Sequence, residues 1–131
     1  MTAEAGLLSV VIPNWNGGHF LPVCLGALAK QSYQPIEVLI VDNASSDGSP
    51  ELISRDYPWV TLIELPVNMG FTGACNAGLW AARGEFIALL NNDTEVDEGW
   101  AAATVEAFSR AGDIGSVASK MLLYDQRDRI H

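Results

Sequence analysis

The sequence predicts an α/β protein built on a mainly parallel, doubly wound sheet with helices on both faces. Three observations carry this. Short apolar runs at Leu7–Ile12, Ile36–Val41, Trp59–Leu65 and Phe86–Leu90 alternate with segments of helical periodicity. Most of these runs are continuous rather than alternating, the pattern of strands covered on both faces. Three of them stop abruptly in polar clusters, at Asn14–Gly18, Asp42–Ser49 and Asn91–Thr94. In an open parallel sheet the ligand crevice lies beyond the carboxyl ends of the strands, where those clusters fall.

The first strand, Leu7–Ile12, ends in Pro13-Asn14-Trp15-Asn16-Gly17-Gly18, residue types that make turns by backbone mechanism. A helix over about residues 19–31 follows, with Leu21, Cys24, Leu25 and Leu28 on one face and Pro22 tolerated in its first turn. The second strand, Ile36–Val41, ends in Asp42. Ser49 before Pro50 reads as the N-cap of a short helix that runs to Asp56. Trp59–Leu65, less continuously apolar, is a third strand nearer a sheet edge.

The next helix, about residues 72–83, is rich in small residues: Gly73, Ala74, Ala77, Gly78, Ala81 and Ala82. Helix propensity explains the alanines, but each interior glycine costs about 1 kcal/mol, so close approach to the sheet or a ligand is expected. Gly84 closes this helix, and a fourth strand over Glu85–Leu90 is expected to be buried on both faces. Asp97 reads as the cap of a helix over residues 98–111 with Gly112 at C′. Ile114–Ser119 reads as a fifth strand, and the charged run at 125–129 shows no further periodic element. A Rossmann-like strand order 3-2-1-4 would put strands one and four side by side, so their terminal loops and Asp42 share one crevice.

A chain of 131 residues with 49% hydrophobic and 18% charged residues reads as one globular domain. Its net charge of −9, without a basic cluster, argues against nucleic acid as a partner. A phosphate-bearing ligand would need a cation to offset that charge. Cys24 and Cys75 fit no metal spacing and read as buried thiols in a reducing compartment. No signal peptide and no membrane-spanning run is apparent, so a cytoplasmic location is expected, compatible with docking at the inner membrane face. His19, with no second internal histidine, reads as a solvated or capping residue.

Several chemistries lack their motifs. There is no Gly-x-Gly-x-x-Gly after the first strand, no phosphate-cradling Gly-x-x-x-x-Gly-Lys-Ser/Thr and no Gly-x-Ser-x-Gly elbow. What remains is two strand-end carboxylates, Asp42 and Asp93, and an aromatic, Trp15. One carboxylate with neighbouring amide oxygens suits Mg²⁺ or Mn²⁺, which take one or two carboxylates plus substrate phosphates and water. Asp42 could accept from a pyrimidine imide or a ribose hydroxyl. Trp15 could stack on a base or fill the core. Glu95, Asp97 and Glu98 are accounted for by a solvated face and a helix N-terminus.

Four segments taken together resemble glycosyltransferase family 2 enzymes of the GT-A fold, of the rhamnosyltransferase-like kind. They are VVIPNWNG (10–17), IEVLIVDNASSDGS (36–49), NMGFTGACNAGL (68–79) and GEFIALLNNDTEVDEGW (84–100). The resemblance covers most of the chain from Leu7 to about Tyr124 and corresponds to the N-terminal, donor-binding half of such enzymes. It implies a nucleotide-diphosphate-sugar donor (UDP- or dTDP-linked), a saccharide or lipid-linked acceptor, Mn²⁺ or Mg²⁺, and inverting transfer in surface polysaccharide synthesis. It assigns the base pocket to Pro13, Trp15 and Asp42, with Asp47 supporting the loop. The motif usually written Asp-x-Asp falls on Asn91-Asn92-Asp93, which leaves Asp93 as the metal ligand. Where many relatives have arginine before the asparagine matching Asn76, this chain has Cys75. The expected nucleotide-binding set is Pro13, Asn14, Trp15, Asn16, Asp42, Asp47, Gly70, Asn76, Asn91 and Asn92.

The general base of such enzymes lies in a later motif that has no match after Asp113, so this chain alone is expected to bind donor without transferring sugar and to be prone to self-association. A non-catalytic nucleotide-sugar-binding module is the alternative. A sugar nucleotidyltransferase would need a Gly-rich basic loop after the first strand, which is missing.

Overall fold

In the computed structural model, which describes residues 2–130, strands β1 (Glu4–Asn14), β2 (Ile36–Asp42), β3 (Thr61–Glu64) and β4 (Gly84–Leu89) form one sheet. All neighbours are parallel and the order is β3-β2-β1-β4, as the alternation of elements predicts. The helices are α1 (Leu21–Ala29), α2 (Ser49–Asp56), α3 (Gly70–Ala81) and α4 (Trp100–Phe108).

Alternation along β1 divides the core between the two faces of the sheet. Leu8, Val10 and Ile12, with Val38 and Ile40 of β2, meet Leu21, Leu25 and Leu28 of α1, Ile53 of α2 and Ala101 of α4. Val11, Leu39 and Val41 point to the opposite face and meet Ala74 of α3. Each fully buried aliphatic side chain contributes about 1.5–3 kcal/mol, so the thicker layer around α1 dominates stability. α3 lies close to the sheet because of Gly78, where a Cβ would stand 2.2 Å from Val11 Cγ1 and 3.0 Å from Val41 Cγ2. Gly73 has a different reason, since a Cβ there would meet Met69 Cβ at 2.6 Å.

The amino ends of the strands are held by polar contacts, away from the carboxyl-end loops. Ser9 Oγ donates to Glu37 and accepts the Gly84 N–H at 2.8 Å. Arg83 pairs with Glu37 and with Glu4, each at 2.9 Å. Gly84 opens β4 rather than merely ending α3, because a side chain there would run into Leu7 O at 2.5 Å.

Several local expectations are corrected. β4 is the last strand of the sheet and is not covered on both faces: Ile87 and Leu89 remain 45% and 52% exposed, since α3 packs over β1 and β2. Gly48, with φ 84°, caps α2, and Ser49 is already its first residue. α4 starts only at Trp100, because Asp97 Oδ1 takes the Gly99 N–H at 2.9 Å and holds a turn first. It ends at Phe108, short of Gly112.

Ile114–Ser119 forms no strand. It contains one glycine and two serines and lies largely exposed, so it has little apolar surface to bury in a ladder. Instead β5 (Leu122–Leu123) and β6 (Gln126–Ile130) make an antiparallel hairpin. The charged run is a strand whose alternation is not apolar, and Arg127 anchors it to Glu95 at 2.8 Å.

Gly78 makes a test of the α3 packing. Alanine would gain about 1 kcal/mol in helix propensity. Overpacking against the stiff, buried Val11 costs about 1–3 kcal/mol. Gly78→Ala is therefore expected to lower the melting temperature by a few degrees in thermal denaturation followed by circular dichroism. A higher melting temperature would show that α3 does not lie this close to β1.

Candidate functional site

The register of the sheet brings three loops together. Asn14 stands opposite Asp42 across the β1–β2 pair, and the Leu90 N–H donates to Val11 O at 3.0 Å just past β4. The segments after β1, β2 and β4 therefore leave the sheet side by side. Between them and the turn into α3 lies a cleft of about 470 Å³, lined by Pro13, Asn14, Trp15, Asn43, Asn68, Gly70, Phe71, Asn91, Asn92 and Asp93. A larger groove of about 620 Å³ runs between β4 and α4, past Phe86, Val105 and Phe108. Its lining contains none of the residues of the strand-end loops.

Side chains tie these loops to one another. Asn14, buried, donates from Nδ2 to Asp42 Oδ1 at 3.0 Å and accepts at Oδ1 from Asn92 Nδ2 at 2.8 Å. The other Asp42 oxygen accepts the Ser45 N–H at 2.9 Å. Ser45 Oγ accepts the Asn16 N–H at 2.9 Å, and Asn16 Oδ1 accepts the Ser46 N–H at 2.8 Å. Asp47 takes the Gly18 N–H at 2.9 Å and, through its second oxygen, the Ser49 N–H at 3.0 Å. Burial would raise the Asp47 carboxyl, but the Ser49 hydroxyl and the Gly18 and Ser49 N–H groups outweigh it and hold the acid below its ordinary range. Asn43 spans the cleft to the α3 turn, donating to Gly70 O at 3.0 Å and accepting the Met69 N–H at 2.7 Å.

The expected site residues divide into two groups. Pro13, Asn14, Trp15, Gly70, Asn91, Asn92 and Asp93 line the cleft. Trp15 is 59% exposed, so it presents its ring to the cleft and does not fill the core. Asp42 lies below the lining at 2% exposure, with both oxygens engaged by Asn14 and Ser45. Asn16 and Asp47 act on the loops, not on the cleft wall. Asn76 is exposed on α3 and does not line the cleft. Sequence reasoning missed Asn43, Asn68 and Phe71 as lining residues. Asn43 follows directly on Asp42, and a strand-end residue next to one that points inward was the available signal.

The donor set suits a hard cation only in part. Asp93 is the one acid in the cleft lining, and among the described residues no group of three His, Cys, Asp or Glu could hold a metal. Cys24 lies nearby, but burial first, with the Asp93 charge adding, pushes its thiol up to about 11 against a smaller lowering by Thr94, so it stays protonated at neutral pH. A divalent ion would thus be held by Asp93 together with oxygens of a ligand, within the habit of Mg²⁺ and Mn²⁺. Thr94 Oγ1 donates to Asn91 O at 2.7 Å and stiffens this loop. On the opposite rim, α3 begins at Gly70, whose N–H is taken by Asn68 Oδ1 at 2.8 Å. The N-terminal end of α3, the positive end of its dipole, thus forms part of the cleft lining through Gly70 and Phe71.

The family model for "Glycosyl transferase family 2" matches residues 9–130, a span that includes every strand-end loop of this site. The chain belongs to glycosyl transferase family 2. It is 36% identical over 90 residues to the succinoglycan biosynthesis protein ExoO of Rhizobium meliloti, covering 68% of this chain and 26% of that one. The S. aureus TarS 1–349 structure in complex with UDP superposes with a TM-score of 0.72 at 20% identity, over 92% of this chain and 43% of that one. The mannosyltransferase PcManGT from Pyrobaculum calidifontis, in complex with GDP-Man and Mn²⁺, superposes with a TM-score of 0.63 at 29% identity, over 67% of this chain and 28% of that one. The chain spans only 26–38% of the length of the curated relatives it matches.

Asp47 gives a pH test of the loop network. Its folded carboxyl titrates below the ordinary value of 3.8, so the unfolded chain binds more protons in that range. The stability it contributes is present above that value and is lost as the pH falls through the folded value. Between pH 6 and pH 3 the parent should lose more melting temperature than Asp47→Asn, which lacks this component. Equal losses would show that the Gly18 and Ser49 contacts do not depend on the charge.

Proposed function

We propose that the cleft binds a nucleotide-diphosphate-sugar together with Mn²⁺ or Mg²⁺, as the donor site of an inverting glycosyltransferase in glycan or polysaccharide synthesis. The observation that supports this most is that Asp93, the one acid of the lining, shares one cleft with the start of α3 and the exposed Trp15. In this reading Trp15 stacks on the nucleobase, with Pro13 beneath it and Asn43 and Asn68 at its polar edge. The diphosphate lies between the N-terminal turn of α3 and Asp93. Bound there, the cation would offset the diphosphate charge against a chain of net charge −9 and favour its departure as leaving group. PcManGT, which holds GDP-Man and Mn²⁺, supports the metal, and ExoO, named for succinoglycan biosynthesis, supports the polysaccharide setting.

Transfer needs a second group. Inversion requires a base to take the acceptor hydroxyl's proton as that oxygen attacks opposite the leaving diphosphate. Among the described residues the lining offers no acid besides Asp93, and a carboxylate that holds a cation is a poor base. In this reading the cleft lining supplies the donor site, with Asp93 assigned to the cation and not to the base. No helix among the described residues is long and apolar enough to cross a membrane.

Calorimetric titration with UDP-, dTDP- and GDP-sugars, rhamnose donors among them, with and without Mn²⁺, tests the reading. The parent should bind at least one donor more tightly with Mn²⁺. Asp93→Ala should abolish that enhancement, and Asp56→Ala, at the C-terminal end of α2 and outside the cleft lining, should leave it intact. Trp15→Ala should weaken binding about fivefold or more, because one base–aromatic stack is worth about 1–3 kcal/mol. Tight, metal-independent binding unaffected by Asp93→Ala would overturn the assignment.

A further inference from the structure

Asn14 is only 1% exposed, yet it lies between two groups that fix the direction of its side-chain amide. On one side is Asp42, whose carboxylate offers acceptors alone. Its Oδ2 is already taken by the Ser45 N–H, and its Oδ1 receives Asn14 Nδ2 at 3.0 Å. With its nitrogen turned to Asp42, Asn14 can show only an oxygen to the other side. That oxygen needs a donor, which Asn92 Nδ2 supplies at 2.8 Å. The bonds therefore run one way, from Asn92 through Asn14 to Asp42.

The main chain passes directly over this junction at Gly17. A Cβ there would lie 2.1 Å from Asn92 Nδ2 and 2.7 Å from Asn14 Oδ1. The glycine leaves room for the relay and for nothing larger.

We propose that Asn14 is a positioning residue whose one-way relay sets the Asn91–Asp93 loop relative to Trp15, and thereby sets affinity for the metal–nucleotide complex. This rests on the nucleotide-binding reading above. Trp15 follows Asn14 in the chain and Asp93 follows Asn92, so the relay joins the base side of the cleft to the cation side through adjacent residues. It also specifies an amide at position 92. An acid there would set an acceptor against Asn14 Oδ1, although it would add a negative charge beside the cation.

The relay can be reversed by substitution. In Asn92→Asp, Asn14 faces acceptors on both sides and can satisfy only one. Adding Asp42→Asn lets the Asn14 amide turn over. Position 42 then donates to Asn14 Oδ1 and still accepts from the Ser45 N–H, while Asn14 Nδ2 donates to position 92. Asp42→Asn alone is tolerated better than Asn92→Asp alone, because the half-exposed Asn92 amide can turn as well.

The parent, both single variants and the double variant are titrated with UDP and GDP in Mn²⁺, at a temperature where circular dichroism shows all four folded. Their melting temperatures are measured separately. Asn92→Asp is expected to weaken nucleotide binding about fivefold or more, the scale of a buried acceptor left without its donor. The double variant should return to within about threefold of Asp42→Asn, with its melting temperature restored in parallel. Nucleotide binding by Asn92→Asp as tight as the parent's, or losses that simply add in the double variant, would overturn the proposal. Melting temperatures that follow the cycle while affinities do not would make the relay structural and overturn the positioning role. A parent that binds neither nucleotide overturns the nucleotide reading and the positioning role with it, and the melting temperatures then judge the relay alone.

Discussion

The site depends on β1 being hydrogen-bonded in parallel along both edges. Pairing with β2 puts Asn14 beside Asp42, and pairing with β4 carries Leu90 to Val11 O, so three loops leave the sheet at one level. A shift of one residue in either pair would turn every side chain of the moved strand to the opposite face. Leu8, Val10 and Ile12 on one face and Val11 on the other resist such a shift, because all four are completely buried. The apolar register of the core thus sets the geometry of the polar cleft.

At the carboxyl end the same precision is kept by hydrogen bonds. Asn16 and Ala44 hold positive φ angles of 50° and 61°, which cost an L-residue with a Cβ about 1–2 kcal/mol. Both lie in the loops cross-tied by Asp42, Ser45 and Ser46, whose contacts fix the backbone there. Every buried side-chain polar atom among the described residues has a partner. A network this complete makes a rigid floor, and rigidity is what a binding cleft needs if affinity is not to be lost in ordering it.

Much of this was legible in the sequence because strand identity and order follow from apolar runs, and strand ends follow from where those runs stop. Trp15 and Asp93 came to the cleft for that reason, whereas Gly70 was expected there only from the family resemblance. Asp42 did not, since a strand-end acid can face the ligand or its neighbouring strand, and only the Asn14 register decides between them. The coverage of β4 was misread because an apolar run shows the potential for burial but not what lies over it. The hairpin at the end of the described chain was missed because its alternation is of charges, and its anchor is an ion pair with Glu95, distant in sequence. Asn68 and Phe71 carried no pattern of their own, and they enter the site only through the folding of α3 against β1 and β2.

Paramagnetic relaxation can show whether the three strand-end loops form one metal–nucleotide cleft. Mn²⁺ is added at substoichiometric levels to the ¹⁵N-labelled protein saturated with a nucleoside diphosphate, and amide broadening is followed residue by residue. Broadening should be strongest at Asn91–Glu95 and extend to Trp15, Asn43 and Gly70, while Glu37, Arg83 and Gly84 at the amino ends of the strands stay sharp. Broadening centred on the acidic amino-end cluster, or spread without focus over the surface carboxylates, would contradict the account.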